Sequence, residues 1–188
     1  MLVGLCEAID ARPYMKGHGS RVSALSEAIA LRLGWNAERI RRLRIGALLH
    51  DVGKLAVADT IWDKAERLSE GELQEIRRHP SAGARILSKQ LDFRFAIPHV
   101  LFHHEHWDGR GYPHGRRGAE IPLEARVLAV ADAFDAMISP RPYRPPLPVR
   151  DSLAEIDRCS GTQFDPVVAG IFIELCRVRA PRLVAAQG

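Results

Sequence analysis

Hydrophobic residues recur along this chain at three- and four-residue steps, which is the period of an amphipathic helix. Val22, Leu25 and Ile29 form one such stripe in the segment that follows His18. The alternation of polar and apolar residues that would predict strands is confined to a few residues near Ile121. The pattern therefore predicts an all-α protein.

Capping residues and prolines mark where the predicted helices begin. Asn36 is a predicted helix cap, and Ser69 followed three residues later by Glu72 is typical of a capping box. The predicted helices span residues 18–34, 37–50, 69–78, a segment from 80 through 87, 95–106, 122–138, 150–159 and 166–178. Residues 139–148 contain five prolines and are predicted to form an irregular loop.

The chain has 188 residues, which is enough for one domain with a substantial core. We expect a compact single-domain helical bundle over residues 1–178 and a flexible C-terminal tail over residues 179–188. No apolar run approaches the roughly twenty residues of a membrane helix, and the N-terminus does not resemble a secretory signal. Three cysteines without metal or redox spacing fit a reducing compartment, so we expect a cytoplasmic protein.

The formal net charge of +4 comes largely from the basic run at residues 39–44. At helical spacing this run is typical of a solvated helix face. Aromatic residues make up 6% of the chain and are not interleaved with the basic ones. The sequence therefore predicts no binding to a nucleic acid polymer.

Two dense groups of imidazole and carboxylate side chains carry the strongest chemical information. His50-Asp51 and His103-His104 lie about fifty residues apart, and together they offer a ligand set for first-row metals. Asp132 stands in an apolar run at residues 127–134, where burial of a carboxylate is costly unless a cation or hydrogen bonds compensate it. A metal centre would explain both observations.

Other hydrolytic sites are excluded by spacing. The residues around His104 are too compact for a His-Glu-x-x-His zinc site, and the chain has no Gly-x-Ser-x-Gly elbow. Gly53-Lys54 lacks the preceding glycine spacing of a phosphate-binding loop.

The order of these motifs resembles a known family. His50-Asp51, with distant His18 and Asp132, resembles the H…HD…D pattern of the HD-domain phosphohydrolases. The chain also resembles the HD-GYP subfamily at four places, which are His79, His103-His104-Glu105, residues 108–113 and residues 141–144. The resemblance extends from about residue 18 to residue 166, and it implies an all-helical HD-type fold and hydrolysis of cyclic di-GMP.

The resemblance also implies a metal-ligand set. One metal would be surrounded by His18, His50, Asp51 and Asp132, and a second would be held by His79, His103 and His104, with Asp51 as the bridge. Ligation without thiolate favours two divalent ions of iron or manganese. Some relatives have a third-metal glutamate where this chain has Tyr14, which supports two metals rather than three.

Further roles follow from position in the family pattern. Asp51 and Lys54 are the expected catalytic residues, and Lys54, Tyr112, Arg141 and Arg144 are the expected substrate contacts. An arginine can form two parallel hydrogen bonds with a phosphate. For Lys54, Arg141 and Arg144 the alternative is an ordinary surface charge, and the sequence leaves that alternative open.

Three functions are compatible with these residues. The favoured one is an enzyme that opens cyclic di-GMP to pGpG, and then to GMP, with a hydroxide shared by two metals. The second is a non-catalytic sensor or a module that docks a partner, such as a diguanylate cyclase or a regulatory domain, through the Gly-Tyr-Pro loop. The third is an HD-type phosphohydrolase acting on another nucleotide.

Overall fold

Helices make up most of the part of the chain that the structure describes. The computed structural model describes residues 2–11, 15–62, 64, 66, 68–140 and 145–184, and for residues 62 and 179–184 it describes the backbone alone. Within these ranges the α-helices are α1 Leu2–Asp10, α2 His18–Arg32, α3 Ala37–Leu49, α4 Asp59–Trp62, α5 Glu70–Arg77, α6 His79–Ser88, α7 Ile97–Phe102, α8 Leu123–Ile138, α9 Val149–Arg158 and α10 Pro166–Val184. Short 3-10 segments occur at Val52–Ala56, Leu91–Ala96 and Gly118–Glu120. The one β pairing in the described ranges is an isolated bridge, so the all-α prediction is confirmed.

Both predicted helix caps are present. The Asn36 side chain accepts a hydrogen bond from the Arg39 backbone N–H at 2.9 Å and caps α3. Ser69 and Glu72 form a reciprocal capping box at the start of α5. These contacts satisfy backbone N–H groups that have no partner inside the helix, which explains why both helices begin where the sequence indicates.

The predicted helix over residues 95–106 is shorter in the structure. It ends at Phe102, and the backbone N–H groups of Trp107 and Asp108 donate to the carbonyls of Gln163 and Thr162. These tertiary hydrogen bonds draw the chain away from the helix axis. The helices α1 and α4 are absent from the prediction, and α10 continues six residues beyond residue 178.

Two large apolar clusters and a third, minor one around Phe102, Ile121 and Ala125 hold the helices of the described residues together. The largest one joins α2, α3, α8, α9 and α10 around fully buried residues such as Val22, Leu43 and Leu128. The second one joins α1, the end of α3, α6 and α7 around residues such as Leu49 and Val100. No helix in the described ranges has the length and apolar character that a bilayer crossing requires.

The 3-10 segment after α3 approaches the start of α6 very closely. A side chain at Gly53 would overlap the backbone carbonyl of His79, so only glycine fits at this position. This contact brings the end of α3 against the beginning of α6, and it thereby joins His50 and Asp51 to His79.

Candidate metal centre

Seven polar side chains meet where five helices come together. The end of α3 provides His50 and Asp51, α2 and α6 each begin with a histidine, α7 is followed by two histidines, and α8 contributes a carboxylate from its middle. The seven residues are His18, His50, Asp51, His79, His103, His104 and Asp132, all of which the sequence analysis singles out as metal ligands. Their role as ligands remains a prediction, since the structure shows their positions alone.

The first group of potential ligands contains His18, His50 and Asp132. Each offers one ligand atom, and these three atoms lie within 4.8 Å of one another. His18 Nε2 is 3.3 Å from His50 Nε2 and 3.2 Å from Asp132 Oδ1. Such spacing would let one cation contact all three atoms.

The second group contains His79, His103 and His104, again with ligand atoms within 4.8 Å of one another. His79 Nε2 lies 3.3 Å from His103 Nε2. The rings of His103 and His104 are 4.1 Å apart between centroids. Imidazole is the commonest protein ligand for metals, and it binds in the neutral form.

Asp51 lies between the two groups. Its Oδ2 is 3.3 Å from His50 Nε2, and its Oδ1 is 3.4 Å from His79 Nε2. Burial raises the pKa of this carboxyl, but the Lys54 ammonium together with His50 and His79 lowers it well below its ordinary value. Asp51 is therefore an anion placed to face both groups.

Lys54 contributes the cation nearest to this carboxylate. Its Nζ lies 2.6 Å from Asp51 Oδ2, and its side chain is largely buried. Lys54 also lines a cavity of about 220 Å³ above the two groups, next to His104 and Asp132. Lys54 is a predicted substrate contact, and that role remains a prediction.

Most histidines of the centre are held in the neutral form. Burial lowers the pKa of His79 to about 4 and that of His104 to about 3. Burial also lowers the pKa of His103 well below its ordinary value. Their ring nitrogens are thus available to a cation at neutral pH.

His18 has a different environment. Burial lowers its pKa, but hydrogen bonds with Asp132 and Asp135 raise it more, to about 9. Asp135 is buried, and its Oδ2 lies 2.7 Å from His18 Nδ1. Asp135 is absent from the predicted site residues, although its position three residues after Asp132 on α8 places both carboxylates on one helix face.

The chemistry of the seven predicted ligands indicates whether a divalent cation fits this centre. Two carboxylates and five imidazoles are concentrated in a small buried volume, and a group of buried carboxylates is costly without a compensating cation. Imidazole nitrogen and carboxylate oxygen suit divalent first-row metals. The residues therefore fit divalent metal binding.

The loop after the paired histidines is shaped by a buried glutamate. Glu105 is 2% exposed, and it accepts hydrogen bonds from the backbone N–H groups of His114 and Arg116. Tyr112 stacks on His104 with ring centroids 4.8 Å apart. Glu105 therefore organises the loop, and Tyr112 lies directly beside a predicted ligand.

The predicted phosphate contacts Arg141 and Arg144 lie outside the described residues. Their role remains a prediction. Within the basic run at residues 39–44, Arg41 and Arg42 are exposed and pair with Glu38, as expected for a solvated helix face.

Comparison with known proteins agrees with the all-helical fold. The family model for the HD domain matches residues 6–168. The chain belongs to the HD-domain family. This family implies divalent metal binding, which the two histidine groups could provide.

Curated relatives are similar over most of this chain. A cyclic di-GMP phosphodiesterase of Thermotoga maritima is 38% identical over 160 residues, which is 84% of this chain and 44% of that protein. The 3′3′-cGAMP-specific phosphodiesterase 3 of Vibrio cholerae is 41% identical over 160 residues, which is 84% of this chain and 35% of that protein. The chain thus spans less than half the length of these relatives.

Solved structures show the same fold. Bd1817, an HDG"Y"P protein from Bdellovibrio bacteriovorus, has a TM-score of 0.71 at 22% identity, with 92% of this chain and 56% of that chain covered. A cyclic GMP-AMP phosphodiesterase of Vibrio cholerae has a TM-score of 0.72 at 21% identity, with 98% and 49% covered.

Proposed function

We propose that this chain is a metal-dependent phosphodiesterase that hydrolyses cyclic di-GMP to pGpG and then to GMP. The observation that carries the proposal is the pair of ligand groups on either side of Asp51, with a cavity of about 220 Å³ above them. The names of the curated relatives, which describe cyclic di-GMP and cyclic GMP-AMP phosphodiesterases, support the substrate class.

Two divalent cations would be held by this centre, one by His18, His50 and Asp132 and the other by His79, His103 and His104, with Asp51 shared. The absence of thiolate among these seven residues favours iron or manganese. When bound, such cations supply Lewis acidity, which activates water and stabilises negative charge on phosphate.

The protein's own residues would position the substrate. Lys54 reaches the cavity beside Asp51, so its ammonium would meet a phosphate held above the ligand groups. Tyr112 lies beside His104 and would limit the space available to the sugar or base. Arg141 and Arg144 are proposed as further phosphate contacts.

No covalent intermediate is proposed. Among the described residues, those that line the cavity include no serine, threonine or cysteine. The attacking oxygen would therefore come from water, the P–O3′ bond would break, and the 3′-oxygen would leave as a hydroxyl group.

A second substrate has a specific observation in its favour. Relatives named for 3′3′-cGAMP are as similar to this chain as those named for cyclic di-GMP, at 41% and 38% identity. Initial rates on both cyclic dinucleotides with manganese- or iron-reconstituted protein test the proposal. Cleavage of cyclic di-GMP supports it, cleavage of cyclic GMP-AMP alone redirects it to the second substrate, and cleavage of neither overturns it.

The Gly-Tyr-Pro loop is proposed as a docking site for a diguanylate cyclase or a regulatory domain. Glu105 fixes the loop from inside, and the side chains of Arg110 and His114 are exposed. Binding of a diguanylate cyclase domain that is weakened by Arg110→Ala would support this docking, and binding that is unchanged would contradict it.

A further inference from the structure

The histidines of the metal centre are oriented in two different ways. Three of them direct Nδ1 to a backbone carbonyl three residues earlier in the chain. The contacts are His50 to Ala47 at 2.6 Å, His79 to Ile76 at 2.8 Å and His103 to Val100 at 2.8 Å. With Nδ1–H donating to the carbonyl, each Nε2 presents its lone pair to the centre.

His18 does not use the same arrangement. It is the first residue of α2, and the carbonyl three residues earlier, that of Met15, accepts the backbone N–H of His18 at 2.9 Å. Its ring Nδ1 instead lies 2.7 Å from Asp135 Oδ2, which comes from α8. A carboxylate from another helix thus replaces the local carbonyl.

Asp135 is itself held in place. Arg21 lies one turn after His18 on α2, and its Nε donates to Asp135 Oδ1 at 2.7 Å while its Nη2 donates to Oδ2 at 3.0 Å. The Asp135 side chain is 1% exposed. A buried carboxylate with a two-point arginine contact has little freedom to turn away from the imidazole.

A carboxylate acceptor differs from a carbonyl in charge. A hydrogen bond from Nδ1–H to an anion is stronger than one to a neutral oxygen, and it makes the opposite nitrogen a better metal ligand. Asp132 and Asp135 lie three residues apart on α8. Helix α8 therefore carries both the predicted ligand Asp132 and the carboxylate that supports the predicted ligand His18.

We propose that Asp135 is a positioning residue that holds His18 in the Nδ1–H tautomer and strengthens metal binding at the group formed by His18, His50 and Asp132. Arg21 fixes the carboxylate in the required orientation. The inference rests on the metal centre of the proposed function, and Asp135 itself is not among the seven predicted ligands.

The variant Asp135→Asn tests this role, because it removes the charge and keeps the size of the side chain. Metal affinity is measured by competition with a chromophoric chelator. We expect one of the two binding steps to weaken by about ten- to a hundredfold and the other to remain as in the parent. Equal affinities in the variant and the parent would overturn the inference.

Asp165→Asn is the matched control. Asp165 is also a buried carboxylate paired with an arginine, since its Oδ2 lies 2.7 Å from Arg126 Nη1, but it lies outside the metal centre. Both metal-binding steps should be unchanged in this variant. A similar loss in both variants would assign the effect to general loss of stability and would overturn the positioning role.

The unmodified protein gives an independent test that does not depend on folding of a variant. In zinc-loaded, ¹⁵N-labelled protein, long-range ¹H–¹⁵N spectra should show His18 protonated at Nδ1, with a proton further downfield than those of His50 and His79. His18 protonated at Nε2 would contradict the inference. If the protein binds no metal, both this inference and the proposed function are overturned. If the parent binds metal in two steps and Asp135→Asn weakens one of them, but the parent hydrolyses no cyclic dinucleotide, only the proposed function is overturned.

Discussion

Asp51 Oδ1 lies 3.4 Å from His79 Nε2, although the two residues belong to different helix ends and are separated by 28 positions. The other oxygen of the same carboxylate faces His50. Asp51 is thus the side chain that joins the two ligand groups. Gly53 makes this joining possible, because its missing side chain allows the segment after α3 to lie against the start of α6.

Replacement of Asp51 by alanine should remove both metals together, because each ligand group loses the carboxylate that it shares. Elemental analysis of protein purified without chelator should give about two metals per chain for the parent and close to none for the variant. His103→Ala should chiefly weaken one site. A variant Asp51→Ala that retains both metals would exclude the bridging role.

Metal binding at the His18 group should depend on pH. Because the pKa of His18 is raised to about 9, this residue carries a proton at neutral pH in the metal-free protein, and a cation must displace that proton. Affinity at this group should therefore rise about tenfold per pH unit below 9 and level off above it. A metal affinity that does not change between pH 7 and 9 would contradict the expectation that the cation displaces a proton from His18.

The other ligand group provides an internal control for pH. His79 and His104 have pKa values lowered by burial to about 4 and about 3, so both imidazoles are already neutral at neutral pH and metal binding need not displace an imidazolium proton. The corresponding binding step should be flat above about pH 6. Competition titrations with a chelator, corrected for its own protonation, resolve the two steps.

Arg141→Ala should raise KM for cyclic di-GMP and leave the metal content unchanged, because the expected contact is with phosphate. Loss of a charge-assisted contact is typically worth about 1.5–3 kcal/mol, or about ten- to a hundredfold in affinity. Arg150→Ala, at an exposed position at the start of α9, is the control and should behave like the parent. Unaltered binding of cyclic di-GMP by Arg141→Ala would remove this residue from the substrate site.

Gly53→Ala should destabilise the protein by about 1–3 kcal/mol, since the added methyl group overlaps backbone that cannot move without shifting α6. Its metal affinity should fall as well, because Asp51 and His79 would be displaced from each other. Gly71→Ala is the control, because its new side chain would meet nothing within 4 Å. Thermal unfolding should show a lower Tm for Gly53→Ala only, and equal Tm values would contradict the packing explanation.

The sequence predicts the start of a helix well where nearby residues determine that start. Asn36 and Ser69 cap their helices through contacts within three residues, so the sequence contains all that is needed to place them. The end of α7 was placed four residues too late, because its cause lies in hydrogen bonds of Trp107 and Asp108 with a turn more than fifty residues away.

The metal-ligand candidates were recognisable because imidazole and carboxylate are uncommon at the apolar end of a helix. Asp135 lies on the same helix three residues after Asp132, but its hydrogen bond with His18 Nδ1, which sets the orientation of the ring, appears only in the tertiary structure. The fit of Gly53 against His79 likewise depends on two segments that meet only after folding. Chemistry can be predicted from residue type, whereas orientation of the ligands requires the tertiary structure.

Single-turnover hydrolysis of cyclic di-GMP in oxygen-18 water tests most directly whether the centre around Asp51 cleaves a phosphodiester with water. Metal-reconstituted protein in excess over substrate should yield pGpG with one label in its 5′-phosphate, and chelator-treated protein should yield none. Unlabelled pGpG would mean that the oxygen came from the protein. That result, or no cleavage by protein that carries two metal ions, would contradict the proposed function.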